Sequence, residues 1–155
     1  MLALLTAHIV TAAPANAAGP APLVGPGTTT CATPKGGSTA NGTIVTTWDC
    51  NGSNLQQWTW DGPYIKHVAS GKCLTPSGDA GGYNGTVLTL WTCTGAQSQQ
   101  FSHQHEVGEP MRIYTSYGFK CITNKGDSLR DGVYLTLWTC SWDNDAPSQD
   151  WSLWR

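Results

Sequence analysis

The six residues LTLWTC occur at 88–93 and again at 135–140, and a looser copy, VTTWDC, stands at 45–50. Three segments align around these copies: TTCATPKGGSTANGTIVTTWDCNGSNLQQWTW from Thr29, GKCLTPSGDAGGYNGTVLTLWTCTGAQSQQFSH from Gly71, and FKCITNKGDSLRDGVYLTLWTCSWDNDAPSQDWSLW from Phe119. Each runs from Cys-x-Thr through a turn pair (Asn41-Gly42, Asn84-Gly85 or Asp131-Gly132) into an alternating strand that ends in Trp-x-Cys. A polar loop and a Gln-x-aromatic ending follow. A fixed order met three times means one supersecondary unit used three times, so that whatever folds one unit folds all of them.

The unit is β. Asn-Gly or Asp-Gly flanked by apolar alternation is the strongest short-range hairpin signal, because both central residues of a type I′ turn need positive φ. Gly and Pro interrupt every candidate helical period after the first 17 residues. The expected fold is therefore a single all-β domain of short strands and long loops. Alternation along the repeated strand separates two faces. Leu88 and Leu90 point one way and Thr89 and Trp91 the other, and Leu135 and Leu137 oppose Thr136 and Trp138 in the same manner.

The N-terminal run LALLTAHIV is apolar but too short to cross a bilayer, and TAAPANA after it carries the small residues of a signal-peptide cleavage site. We expect a signal-like segment over 1–17, a Pro- and Gly-rich tail over 18–28, and one domain over 29–155 with repeats 29–60, 71–103 and 119–154. Secretion agrees with the six cysteines, an even count suited to an oxidising compartment. Six cysteines allow 15 pairings, which arithmetic leaves open. Symmetry favours pairing within units: Cys31 with Cys50, Cys73 with Cys93, Cys121 with Cys140. Each such loop is worth about 3 kcal/mol on the chain-entropy model.

Only 12% of residues are charged, the formal net charge is −2, and the eight Lys and Arg form no stripe. Nothing here draws the chain to nucleic acid or into a membrane. Eight Trp and five Tyr exceed what a small core uses, and surplus Trp serves recognition. Catalysis is not expected. The ten Asp and Glu fall mostly in loops, with Glu106 and Glu109 in the connector between the second and third units. No Gly-x-Ser-x-Gly elbow or Ser, His and Asp arrangement stands out. His103-x-His105 alternates as metal ligands on a strand would, but no third ligand accompanies it, so neither metal nor cofactor is expected.

Three endings in phase, Gln56-Gln57-Trp58, Gln99-Gln100-Phe101 and Gln149-Asp150-Trp151, each after a Trp-x-Cys strand, resemble the ricin-type β-trefoil lectin family over Thr29 to Arg155. The resemblance implies a pseudo-threefold β-trefoil in a secreted bacterial protein. A six-stranded barrel would be capped by three hairpins, with the Gln-x-aromatic rings in a shared core and up to one shallow sugar pocket per unit. A pyranose offers a face of C–H groups and an edge of hydroxyls, so a pocket needs an exposed aromatic plate beside hydrogen-bonding groups. Trp48, Trp91 and Trp138 are the plates expected.

The pocket positions depart from the family. Its Asp two places after the first Cys is Thr33, Thr75 and Thr123 here, and its Gln two places before the plate is Thr46, Thr89 and Thr136. Its Asn before the final Gln is Leu55, Ser98 and Ser148. Thr offers a hydroxyl and a methyl where Asp offers charge, which suits a 6-deoxy sugar such as L-rhamnose; galactose-type sugars are the family's default. Asp79 and Asp127, four residues after Thr75 and Thr123, are candidates to replace the lost acceptor, although solvated turns are the commoner role for such residues. Gln56, Gln99 and Gln149 would brace the hairpin loop and stand within reach of ligand. Trp142 is placed to widen the third site, and Trp60 and Trp154 to pack in loops or at the terminus.

These features lead to a hemagglutinin-like lectin, monomeric but multivalent toward cell-surface or polymeric glycans. The alternative is a polysaccharide-binding module assisting a separate glycoside hydrolase, and a third class is an inhibitor acting through its loops.

Overall fold

The computed structural model describes residues 19–27, 29–104, 111–142 and 146–152. The signal-like segment 1–17, His105, Glu106, Glu109 and Trp154 lie outside them. The described residues form strands and short 3-10 turns with no α-helix. The strands are β1 (Ala21–Pro22), β2 (Thr30–Pro34), β3 (Val45–Asp49), β4 (Gln57–Asp61), β5 (Tyr64–His67), β6 (Cys73–Pro76), β7 (Leu88–Trp91), β8 (Phe101–Gln104), β9 (Arg112–Thr115), β10 (Lys120–Asn124) and β11 (Leu135–Thr139).

The hairpins β2–β3, β6–β7 and β10–β11 repeat one register: Cys31 opposes Trp48, Cys73 opposes Trp91, and Cys121 opposes Trp138. Two residues on, Thr33 opposes Thr46, Thr75 opposes Thr89 and Thr123 opposes Thr136. The hairpins also join one another in a ring, through bridges Ile44 to Thr89, Val87 to Thr136 and Tyr134 to Thr46. All three disulfides close within units, as symmetry favours. This is a β-trefoil.

The core is threefold as well. Val45, Leu88 and Leu135 are fully buried, as are Leu90 and Leu137. The first unit has Thr47 at the position of the second leucine, and that residue is equally buried because its hydroxyl donates to the Arg130 carbonyl of the third unit at 2.7 Å. Trp58, Phe101 and Trp151 fill the barrel. The two indoles each donate to a first-strand carbonyl, of Ala32 at 2.9 Å and of Ile122 at 3.0 Å.

One boundary needs correction. Residues 18–28, expected to be a tail, contain the strand that leads into the first hairpin. Ala21 pairs with Trp58 as Met111 pairs with Trp151, and the Phe101 amide bonds the Pro63 carbonyl at 2.8 Å in the equivalent place. Leu23 is as fully buried as its counterparts Ile65 and Ile113. Val24 bridges both Cys31 and Ser152, so it ties the lead-in strand to the first hairpin and to the end of the third unit. A barrel has no free edge, and closing this one requires residues 21–24. The equivalent residues Ala21, Pro63 and Met111 each stand ten positions before a Cys, but they share no residue type that would mark the correspondence in the chain.

His67, at the end of β5, is buried against Trp58. The Leu55 carbonyl, 3.0 Å from Nε2, can only accept, so Nε2 carries the proton and Nδ1 accepts from the Ser70 hydroxyl at 2.9 Å. Burial holds the imidazole below its ordinary pKa. The neutral form is the native one, so an unfolded chain binds a proton that the folded chain refuses once pH falls below about 6.5. Stability is then lost as pH drops through that value, until the folded pKa is reached. Thermal unfolding between pH 7.5 and 5 should show this slope, and His67→Asn should flatten it; an unchanged slope would place the titration elsewhere.

Candidate functional site

Each plate stands on the outer face of its hairpin, beside the turn of the preceding unit. A Cβ on Gly42 would lie 3.7 Å from the Trp91 ring, one on Gly85 3.9 Å from Trp138, and one on Gly132 3.7 Å from Trp48. The Asn-Gly and Asp-Gly turns thus wall the neighbouring plate, and it is the positive φ of each glycine, not lack of space, that disfavours a side chain there. In the same contacts Asn41 Nδ2 donates to the Thr92 hydroxyl and Asn84 Nδ2 to that of Thr139, each at 3.1 Å. The three plates are half exposed, at 50%, 45% and 51% for Trp48, Trp91 and Trp138, although each follows a core residue by only one position.

Two cavities open beside them. One, of about 280 Å³, is lined by Trp91, Thr75, Thr89, Gln99, Thr94, Gly42 and the turn Pro76 to Asp79. The other, of about 240 Å³, is lined by Trp138, Thr123, Thr136, Gly85 and the turn Asn124 to Asp127. In the second and third units the expected plate, threonines and loop carboxylate therefore meet in one place, joined by Gln99 in the second, whereas Trp48, Thr33, Thr46, Gln56 and Gln149 line neither of these cavities.

The threonines form the floor. Thr75, Thr89, Thr123, Thr136 and Thr46 are buried, and Thr33 is partly so. Five of their hydroxyls, all but that of Thr136, donate inside the chain. Thr33 and Thr75 donate to the carbonyls of Cys31 and Cys73, both at 2.9 Å, while Thr46 and Thr89 donate to those of Thr33 and Thr75 across the hairpin at 3.1 and 3.0 Å. Thr123 donates to the Ser148 hydroxyl at 2.9 Å. A Thr hydroxyl has one proton to give, so these residues do not donate to a ligand while they keep these bonds.

The glutamines brace the loop after the second cysteine. Gln56 Oε1 accepts from the Asn51 amide and its Nε2 donates to the Asp49 carbonyl, both at 2.8 Å. Gln99 does the same with Thr94 and Thr92, and Gln149 with Ser141 and Thr139. Gln56 and Gln99 also donate to Thr33 and Thr75, at 3.1 and 3.0 Å. All three are buried, so bracing accounts for their polar atoms.

The remaining aromatics stand apart. Trp142 is exposed, edge-on to Tyr114, which stacks on Phe119. Trp60 lies in β4 rather than in a loop, and its ring meets His103. Among the described residues no group of three His, Cys, Asp or Glu could hold a metal ion. The turn glycines as walls were not readable from the chain, since a turn signal says nothing about the neighbouring unit that the turn touches.

The family model of the ricin-type β-trefoil lectin domain matches residues 20–151. That span starts at the lead-in strand and runs to the last core tryptophan. Among solved structures, the designed threefold-symmetric protein ThreeFoil is similar over 88% of this chain and 98% of its own, with TM-score 0.79 and 19% identity. The ricin B-like lectin of Macrolepiota procera, solved with lactose, is similar over 92% and 99%, with TM-score 0.73 and 17% identity. An exo-β-1,3-galactanase from Clostridium thermocellum shares 26% identity over 86% of this chain, with TM-score 0.76, and the chain spans only 29% of that enzyme. The chain belongs to the ricin-type β-trefoil lectin family and is a carbohydrate-binding domain.

Proposed function

We propose that this protein is a secreted lectin that acts by multivalent binding through up to three shallow pockets and performs no catalysis. The observation that carries the reading is the twofold recurrence of a half-exposed tryptophan beside a cavity with a carboxylate on its rim. A stacking plate with a few hydrogen bonds open to water binds a monosaccharide at about millimolar, roughly −4 kcal/mol. Useful affinity for a cell-surface or polymeric glycan then comes from several sites on one rigid body, on the order of 10² to 10⁴ in avidity. The signal-like segment and the three disulfides support secretion.

Galactose-type sugars are the first ligands to test, supported by the lactose-bound relative, with 6-deoxy sugars such as L-rhamnose as the second class. The second class drew on threonine hydroxyls and methyls; with five of the six hydroxyls engaged internally, the methyls and the Thr136 hydroxyl remain in its favour. A glycan array decides between them. We expect binding to terminal galactose-type glycans, and preference for fully hydroxylated hexoses over their 6-deoxy counterparts would exclude the second class. An array with no binding at all would sink the lectin reading.

A polysaccharide-binding module assisting a separate glycoside hydrolase is the competing reading, favoured by the similarity to part of a galactanase. Pull-down on insoluble galactan that free galactose fails to reverse would favour it, whereas agglutination reversed by the monosaccharide supports the lectin.

A further inference from the structure

The three units are not equal in one place. The turn after each first strand holds two successive residues in the left-handed region, and the second of them is Gly37 in the first unit, at φ +70°, but Asp79 and Asp127 in the others, both at φ +55°. Glycine adopts this backbone without strain, whereas an L residue is held there at a cost of about 1 kcal/mol or more. The second and third units therefore keep a carboxylate where the first shows that the fold does not need one.

The partner residue changes with it. The Ser98 hydroxyl donates to Asp79 Oδ1 at 2.9 Å, and the Ser148 hydroxyl to Asp127 Oδ1 at 2.5 Å. Both serines are buried, so each carboxylate is fixed in place. The first unit has Leu55 instead, and a Cβ on Gly37 would already be 3.3 Å from its Cδ1. The anchored carboxylates line the same cavities as Trp91 and Trp138, and neither Oδ2 has a partner among the described residues. Meanwhile Thr75 and Thr123, which stand at the usual acceptor position in these two units, are buried.

From this, and resting on the reading of the protein as a lectin, we propose that Asp79 and Asp127 are relocated sugar acceptors. Each takes a ligand hydroxyl on Oδ2 while the C–H face of the ring lies on Trp91 or Trp138. The chain then has two sites of one class, in the second and third units, and the first unit, with Gly37 and Leu55, is not a site of this class. With one carboxylate oxygen engaged by serine, the acceptor meets a single hydroxyl position, so these sites favour a sugar by one well-placed O–H and by its apolar face.

Asp→Asn tests the charge without disturbing the turn. Asn tolerates the left-handed region at least as well, and its side-chain oxygen still accepts from the serine. Indole N–H resonances, followed during titration of the intact protein with lactose, galactose and L-rhamnose, report each plate separately. In the wild type the Trp91 and Trp138 signals should shift saturably and the Trp48 signal should not. Asp79→Asn should weaken binding at Trp91 by about tenfold or more, as expected for a hydrogen bond to a charged acceptor, and leave Trp138 unchanged; Asp127→Asn should do the reverse. Melting temperatures should stay at the wild-type value.

Trp48 shifting with the same affinity, or both variants binding within twofold of wild type, overturns the proposal while leaving the lectin reading intact. Loss of binding accompanied by a large fall in melting temperature also overturns it, because the carboxylates would then be structural. No shift by any of the three sugars, together with an empty glycan array, removes the lectin reading and this assignment with it.

Discussion

Trp91→Ala alone is expected to abolish agglutination, Trp138→Ala to do the same, and Trp48→Ala to leave the titre near that of the wild type. The plate supplies the apolar half of a shallow site, and what remains is one carboxylate competing with water. Cross-linking needs two sites on one body, so a protein with two equivalent sites becomes monovalent when either is lost. The avidity factor, on the order of 10² to 10⁴, then disappears in one step rather than in thirds. Stability should fall by about 1 kcal/mol or less, because the three indoles are half exposed and pack mainly against a neighbouring turn glycine. A hemagglutination titre with each variant, beside its melting curve, is sufficient. Equal stepwise losses for all three would show three sites of similar strength, and no loss for any would mean that the plates are not where sugar binds.

The largest effect on stability is expected at Gly118. A Cβ there would stand 2.3 Å from the Gly82 Cα and 3.2 Å from the Gly81 carbonyl oxygen, against backbone that cannot swing aside as a side chain could. Its φ is also +87°. The left-handed conformation costs an alanine about 1–2 kcal/mol. Separating the two loops adds the bond from the Thr115 hydroxyl to the Gly81 carbonyl, which is 2.8 Å long and buried. We expect Gly118→Ala to cost about 3 kcal/mol or more. Gly78→Ala is the control: φ is +66° but no atom lies within 4 Å of the added carbon, so only the conformational cost of about 1 kcal/mol applies. Urea midpoints separate them, and equal losses would mean that the close approach of the two loops carries no stability.

Sugar binding enters the same comparison. Gly81 and Gly82 follow the turn that carries Asp79, so widening the loop contact at Gly118 acts on the fold close to the cavity beside Trp91. Weakened binding at Trp91 in Gly118→Ala, with Trp138 unaffected, would be an indirect effect of that kind. The Asp79→Asn variant, which leaves the loop contact intact, distinguishes it from loss of the acceptor.

Much of the fold is local and was legible in the chain. The alternating strand and a cysteine at each end specify a hairpin and its disulfide three times over. The expected type I′ turn does not form: each Asn-Gly or Asp-Gly pair sits inside a ten- or eleven-residue connection, and only its glycine has positive φ. The outward direction of Trp48, Trp91 and Trp138 follows from the same alternation, since a strand has only two faces. The lead-in strand at residues 21–24 was not legible in this way. Two to four residues carry little periodicity, and their role comes from the strands they join, at Trp58 and Ser152, rather than from their own pattern.

The candidate site divides along the same line. Threonine at the two usual pocket positions drew attention to those positions as the place of ligand choice. The side chains of Thr33, Thr46, Thr75 and Thr89 instead turn to carbonyls across and along the hairpin, because a buried hydroxyl without a partner is costly and backbone oxygens are the acceptors at hand. Asp79 and Asp127 were visible only as turn residues. Their anchoring depends on Ser98 and Ser148, which stand 19 and 21 residues further along the chain.

Repetition within the chain is therefore enough to establish hairpins, staples, core leucines and outward tryptophans, because each depends on neighbours a few residues away. Which acceptor shares a cavity with each plate, and which glycine walls it, depends on where one unit's loops meet its own distant turn and the next unit's hairpin. Those distances are set by closure of the barrel, a long-range constraint that no single repeat contains.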